Sequence, residues 1–264
     1  MGRRLQRAHA VLAGMGIDVL SAMRSLRGLP RYFANLRALE EQKKAAGSEW
    51  PMGMAYPCLT DWSAGAGMAS GHYFHQDLLV ARRIRENQPR EHVDVGSRID
   101  GFVAHVAAFR PITVVDIRPM SGSIPNIMFV QADMLGTLPS NLESCCDSLS
   151  CLHVIEHFGL GRYGDPVTYD GHLLGLKNLE RMLKSGGKLY LSVPIGPQRI
   201  EFNAHRVFSA AYVLELLEHA YRLDQFSFVD DSGDLHENVR MTESDARQSF
   251  GCTYGCGIYE MTKV

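Results

Sequence analysis

The sequence predicts an α/β protein: a doubly wound, largely parallel sheet with an N-terminal helical extension. Three observations carry this. His92-Val93-Asp94-Val95 is a short apolar run that enters a turn at Gly96 and hands over to a helical stretch from Gly101. From residue 72 onward, strand-like runs alternate with amphipathic helical segments. Asp116 ends the second such run, where α/β sheets place an acid against a ribose. At 264 residues and 45% hydrophobic composition, the chain can bury one large core and still leave length for an extension.

Taken in order, residues 3–46 read as helical, with Leu5, Leu12, Met15, Val19, Met23 and Leu26 at three- and four-residue spacing. Gly14, Gly16 and the Gly28–Pro30 break are expected to divide this stretch into at least two pieces. It is either a cap packed on the main domain or a basic amphipathic element lying on an anionic membrane or a partner. Residues 47–71 are rich in Gly, Pro and Ser and suit an ordered loop or a lid; Trp50, Tyr56 and Trp62 argue against disorder. The domain division is therefore 1–71 and 72–264. In the second part, 75–87 predicts a helix, 92–95 a strand and 101–109 a helix. Strands follow at 112–116, 127–131 and 148–153, then a helix at 173–183 closed by Ser185-Gly186-Gly187. A strand at 188–193, a helix at 209–219 and two late strands at 225–229 and 257–262 complete the order.

Net charge is −2, which argues against a nucleic-acid binder. Charge is uneven, however: residues 1–44 hold nine Lys/Arg against three acids, +6, leaving −8 for the rest. Asp18 interrupts the only N-terminal apolar stretch, no cleavage pattern follows, and no run approaches the ~20 apolar residues of a membrane span. Six cysteines then suggest reduced thiols and a cytoplasmic protein, peripheral to the inner membrane face if the basic helices meet lipid or a protein there.

The chemistry gathers at strand ends. The turn offers Asp94, Gly96, Ser97, Arg98 and Asp100, a nucleoside-type site by position, although Arg98 and Asp100 stand where such turns carry further glycines. Asp116 can accept ribose hydroxyls, or simply cap its own turn. Asp133, after the third strand, is placed to meet an adenine amino group. His153-x-x-Glu156-His157 spells an inverted zinc-peptidase pattern, but that needs one continuous helix, and Gly159 and Gly161 follow at once; no metal is expected. His153 or His157 instead suits a general base, with His205 as substitute, or loop-orienting hydrogen bonds. Glu156, Asn203 and Arg206 suit a polar acceptor, Arg206 alternatively pairing with a surface acid. Arg162 and Tyr163, in the Gly-rich segment 159–165, suit a substrate-covering loop. Cys145-Cys146 and Cys252-x-x-x-Cys256 lack histidines at finger-like spacing and read as core thiols.

Together, Tyr73–Leu78, Asp94–His105, Val115–Pro119, Leu152–Asp165 and Phe202–Phe208 resemble the class I S-adenosylmethionine-dependent methyltransferases. Within them they resemble a branch found among surface-polysaccharide biosynthesis proteins. The resemblance covers 72–264. It implies a Rossmann-like, seven-stranded sheet with an antiparallel last strand, and S-adenosylmethionine as cofactor, with Gly96 under its methionine part, Asp116 at the ribose and Asp133 at the adenine. Arg98 would meet its carboxylate and Asp100 its ammonium. The activity implied is methylation of a hydroxyl on a sugar, sugar nucleotide or glycan intermediate. The alternative is a non-catalytic module that binds a nucleotide sugar or a partner protein in glycan assembly. Nicotinamide-dependent oxidoreduction fits least, because the middle fingerprint glycine is absent.

Overall fold

The computed structural model describes residues 12, 14–47 and 50–264, in two compact units that meet in sequence between Met68 and Ala69. Leu5 and the rest of 1–11 lie outside the described residues.

In the first unit, α1 (Val19–Ala46) starts where Asp18 accepts a hydrogen bond from the Ser21 amide and stops at Gly47 in the left-handed conformation. Gly16, at φ +82°, separates it from the helical residues before it. The Gly28–Pro30 break does not divide α1, which runs through Pro30. Gly28 serves close packing instead: a Cβ there would stand 1.9 Å from the Leu59 carbonyl oxygen. Arg31 lies over the Trp62 ring at 5.0 Å.

In the second unit, α2 (His72–Asn87) precedes β1 (His92–Val95), and β2 (Ile112–Asp116) and β3 (Ile127–Gln131) follow. Next come β4 (Cys146–Leu152), α4 (Gly171–Met182) and β5 (Leu183–Ile195), with the short α3 (Ala104–Ala107) lying after β1. The hairpin β6 (Arg199–Glu201) and β7 (His205–Val207) leads to α5 (Ala210–Leu217), β8 (Tyr221–Val229), β9 (Leu235–His236), α6 (Glu243–Arg247) and β10 (Gly255–Lys263). The main sheet is ordered β3-β2-β1-β4-β5-β10-β8-β9. β1 to β5 are parallel, and β10 is antiparallel to both β5 and β8. Seven strands thus form the expected sheet with its last strand antiparallel, and the two-residue β9 adds an eighth at the edge.

Alternation along the strands sorts the core into two layers. Val93, Val95 and Val115 pack with Leu179 and Met182 of α4 and Val213 and Leu217 of α5. Ile112 and Val114 pack on the other face with Leu79, Val80 and Ile84 of α2 and Val106 of α3. β1 pairs with β2 on one side and β4 on the other, so the order reverses there and a crevice opens at the strands' carboxyl ends.

The helix expected over 101–109 is different. Residues Ile99–Val103 form a π-turn, Gly101 is non-helical, and only four residues of α3 follow. A Cβ on Gly101 would lie 3.2 Å from the Asp77 carboxylate, so α2 packs closely against this turn. No regular helix N-terminus therefore faces the crevice from this turn; glycine and side chains make the site.

Candidate functional site

Gly96 is required twice over. Its φ is +77°, and a Cβ would come within 2.5 Å of Val154 Cγ1. The turn is braced from beneath by Asp94, which is fully buried and does not reach the crevice. Its Oδ2 accepts from the Ser97 amide at 3.0 Å, and its Oδ1 accepts from Ser97 Oγ at 2.9 Å and Ser150 Oγ at 2.6 Å. Burial pushes the Asp94 carboxyl up to about 7 against the pull of those donors. As a direct cofactor contact Asp94 is thus corrected: it positions the turn.

The crevice measures about 690 Å3, within the range of small-molecule sites. Gly96, Ser97, Arg98, Asp100, Asp116 and Asp133 all line it. Its charges are locally paired. Arg98 donates to both Asp100 oxygens at 2.9 and 2.7 Å, holding that carboxyl below the usual range. Arg118 donates to both Asp116 oxygens, at 3.0 and 2.6 Å, and its own amide donates to Oδ1 at 2.8 Å. Asp133 Oδ1 accepts from the Leu135 amide at 2.8 Å. Tyr163 lies between two guanidinium groups, Arg118 at 4.8 Å and Arg162 at 5.1 Å. Asp165 holds that loop by accepting from the amides of Gly159, Gly161 and Tyr163.

The lining residues not singled out from sequence include Tyr73, Gln76, Asp77 and Arg118. Gln76 and Asp77 share the buried face of α2 with Val80, Ala81 and Ile84. A polar pair on an apolar stripe was the available signal. Burial pushes Asp77 up to about 6. For Arg118 the signal was its place two residues after the strand-end acid.

The opposite wall comes from the loop after β4. His153 sits at φ +54°, which ends the strand one residue earlier than its apolar run. Its Nδ1 meets Glu156 Oε1 at 2.7 Å. Burial disfavours a charge on this ring, but Cys256 and Glu156 beside it reverse the balance and raise its pKa. That speaks against His153 as a base at neutral pH. His157 also lines the crevice, and burial holds its pKa below the ordinary value. Its Nδ1 donates to the Ala204 carbonyl at 2.6 Å, which leaves Nε2 as the accepting nitrogen.

Glu156, Asn203, His205 and Arg206 lie off the crevice wall. Glu156 is buried behind the two histidines. Asn203 is the left-handed turn residue of the β6–β7 hairpin. His205 lies 3.2 Å from Glu201 across that hairpin. Arg206 is buried, donating to the carbonyls of Phe158 at 2.6 Å and Tyr169 at 2.9 Å, so it clamps the loop, and among the described residues it forms no ion pair with a surface acid. Behind His153, one ring nitrogen of each of His72 and His153 and the Cys256 sulfur lie within 4.8 Å of one another.

Residues 135–250 match a family described as "Caenorhabditis protein of unknown function, DUF268". No curated protein matches the chain. Among solved structures, it is similar to the N-methyltransferase NodS of Bradyrhizobium japonicum WM9 in complex with S-adenosyl-L-homocysteine, at 14% identity and TM-score 0.46, over 73% of this chain and 88% of that one. It is also similar to 1,6-didemethyltoxoflavin-N1-methyltransferase of Burkholderia thailandensis, at 14% identity and TM-score 0.47, over 89% and 90%. A TehB-like SAM-dependent methyltransferase of Corynebacterium glutamicum matches at 16% identity and TM-score 0.43, over 89% and 100%. The family description carries no activity, and the surface-polysaccharide branch gains no support from these matches.

Proposed function

We propose that the protein is an S-adenosylmethionine-dependent methyltransferase whose acceptor is a hydroxyl of a sugar, sugar nucleotide or glycan intermediate. One observation carries the reading: Gly96, Asp116 and Asp133, at the ends of three adjacent strands, line a single crevice where the strand order reverses. The residues fit the cofactor. Gly96 leaves room for close approach, Asp116 can take the ribose hydroxyls and Asp133 the adenine amino group. Asp77 and Asp100 are the carboxylates available to an ammonium, and Arg98 the cation available to a carboxylate. The cofactor supplies an electrophilic methyl group on sulfur. The chain supplies orientation, which is worth ~7–11 kcal/mol when reacting atoms are held in line, and a base. That base is His157, neutral, with its tautomer fixed by Ala204. Arg162 and Tyr163 orient the acceptor from the covering loop.

The setting follows the same reading: a cytoplasmic enzyme, all six thiols free, with no nucleic-acid partner. Its basic N-terminal helices meet a membrane surface or a protein of the glycan machinery. Among the described residues, no helix is long and apolar enough to cross a membrane.

A non-catalytic module is the second reading, favoured by the Arg98–Asp100 and Arg118–Asp116 pairs, which occupy carboxylates a cofactor would use. Calorimetric titration with S-adenosylmethionine and S-adenosylhomocysteine separates the two. We expect micromolar binding of one or both, weakened at least tenfold in Asp116→Ala. No binding to the folded protein would overturn the enzyme reading and leave the module.

A further inference from the structure

His72 opens α2, His153 follows β4 and Cys256 lies on β10, yet the three converge. One ring nitrogen of each histidine and the Cys256 sulfur lie within 4.8 Å of one another. The imidazoles are parallel, 2° apart in plane, with centroids at 5.1 Å. His153 is 6% exposed, and Glu156 engages its Nδ1, so Nε2 is the nitrogen left to serve. That Nε2 is buried with no hydrogen-bond partner. A buried polar atom left so costs about 1–3 kcal/mol and calls for a reason. Glu156 poses the same question: it is 1% exposed, its Oε2 has no partner, and among the described residues its ion pairs are with imidazoles only.

We propose that His72, His153 and Cys256 bind a borderline-soft divalent cation, Zn2+ first among them. One thiolate and two imidazoles are the donor set such a cation prefers. Tetrahedral zinc holds nitrogen and sulfur ligands about 3.3–3.6 Å apart, so the three side chains need to close by at most about 1.5 Å. Glu156 is the carboxylate that orients a ligating histidine from behind, fixing which nitrogen faces the metal. The charges also close: a divalent cation balances the Cys256 thiolate and the buried Glu156 carboxylate. Three protein ligands leave a coordination position for water or a substrate oxygen, and His153 also forms part of the crevice wall. This site is independent of the proposed methyltransferase activity.

The test uses the full chain, stripped with a chelator under reducing conditions. Zn2+ affinity is read by competition with a chromophoric chelator, and Co2+ loading by its sulfur-to-cobalt charge-transfer band. We expect one zinc per chain and a sulfur-to-cobalt band. His72→Ala and Cys256→Ser should each weaken zinc at least tenfold, and Cys256→Ser should abolish the band. Cys58→Ser, at an exposed thiol, should change neither. Substoichiometric zinc or a missing band in the native chain would overturn the proposal. So would native zinc affinity in a His72→Ala protein shown folded by circular dichroism. Should Cys256→Ser fail to fold, the native cobalt spectrum and His72→Ala still decide.

Discussion

The two walls of the crevice handle charge in opposite ways. On the β1–β3 wall, acids pair with arginines two residues away, Arg98 with Asp100 and Arg118 with Asp116; Arg98 and Asp100 are about 70% exposed. Behind the β4 wall the charge is a buried carboxylate, Glu156, paired with the two histidines that form the wall. Exposed pairs such as Arg98–Asp100 contribute little and exchange readily for ligand groups, whereas in the Arg118–Asp116 pair only the arginine is open to solvent. Removing one partner of a buried ion pair costs about 3–5 kcal/mol, because the other charge is left stranded. One wall is therefore built to trade partners, and the other to hold its groups in place before any ligand arrives.

That contrast can be broken from either side. The largest expected effect is Glu156→Ala, which leaves the histidines without their anchor and should cost about 3–5 kcal/mol by denaturant unfolding. A loss under 1 kcal/mol would mean the β4 wall is no more rigid than its opposite. Next is Gly96→Ala, where both φ and Val154 oppose a Cβ; we expect about 1–3 kcal/mol lost in thermal melting and no measurable ligand binding. Asp77 gives a pH signature. Its carboxyl is raised to about 6 from 3.8, so its contribution to stability is full below pH 3.8 and lost as pH rises through 6. Binding of a ligand ammonium should run the other way, strengthening between pH 5 and 7, and Asp77→Asn should flatten both profiles. The smallest effect is Arg118→Ala, about 1 kcal/mol or less in stability. Ligand affinity there should hold or tighten, since Asp116 is released; a tenfold loss would make Arg118 itself a ligand contact.

The walls also differed in how far sequence exposed them. β1, β2 and β3 have the bounds their apolar runs predicted, because turn residues or charges punctuate each run. The acids at their ends were readable for the same reason, since strand ends face the crevice. The β4 wall depends on where the backbone turns after Leu152. His153 in the left-handed region and the 3-10 turn Ile155–His157 decide which histidine reaches ligand, and neither leaves a periodic trace. Asn203, His205 and Arg206 looked alike as polar loop residues, yet the hairpin makes one a turn, one a cross-strand partner and one a buried clamp. Spacing rules read neighbours along the chain, so they took His153 as a base and Cys256 as a core thiol and did not join them with His72.

The place of β10 has a consequence for the making of the molecule. It follows β8 and β9 in the chain but lies between β5 and β8 in the sheet. During folding, β5 and β8 cannot pair with each other, and each keeps an open edge until β10 inserts between them. The chain until then carries two bare edges at once, each a template for pairing with another chain. Docking of β10 is thus the step that closes both edges, and a chain arrested before it is the form most open to pairing with another copy.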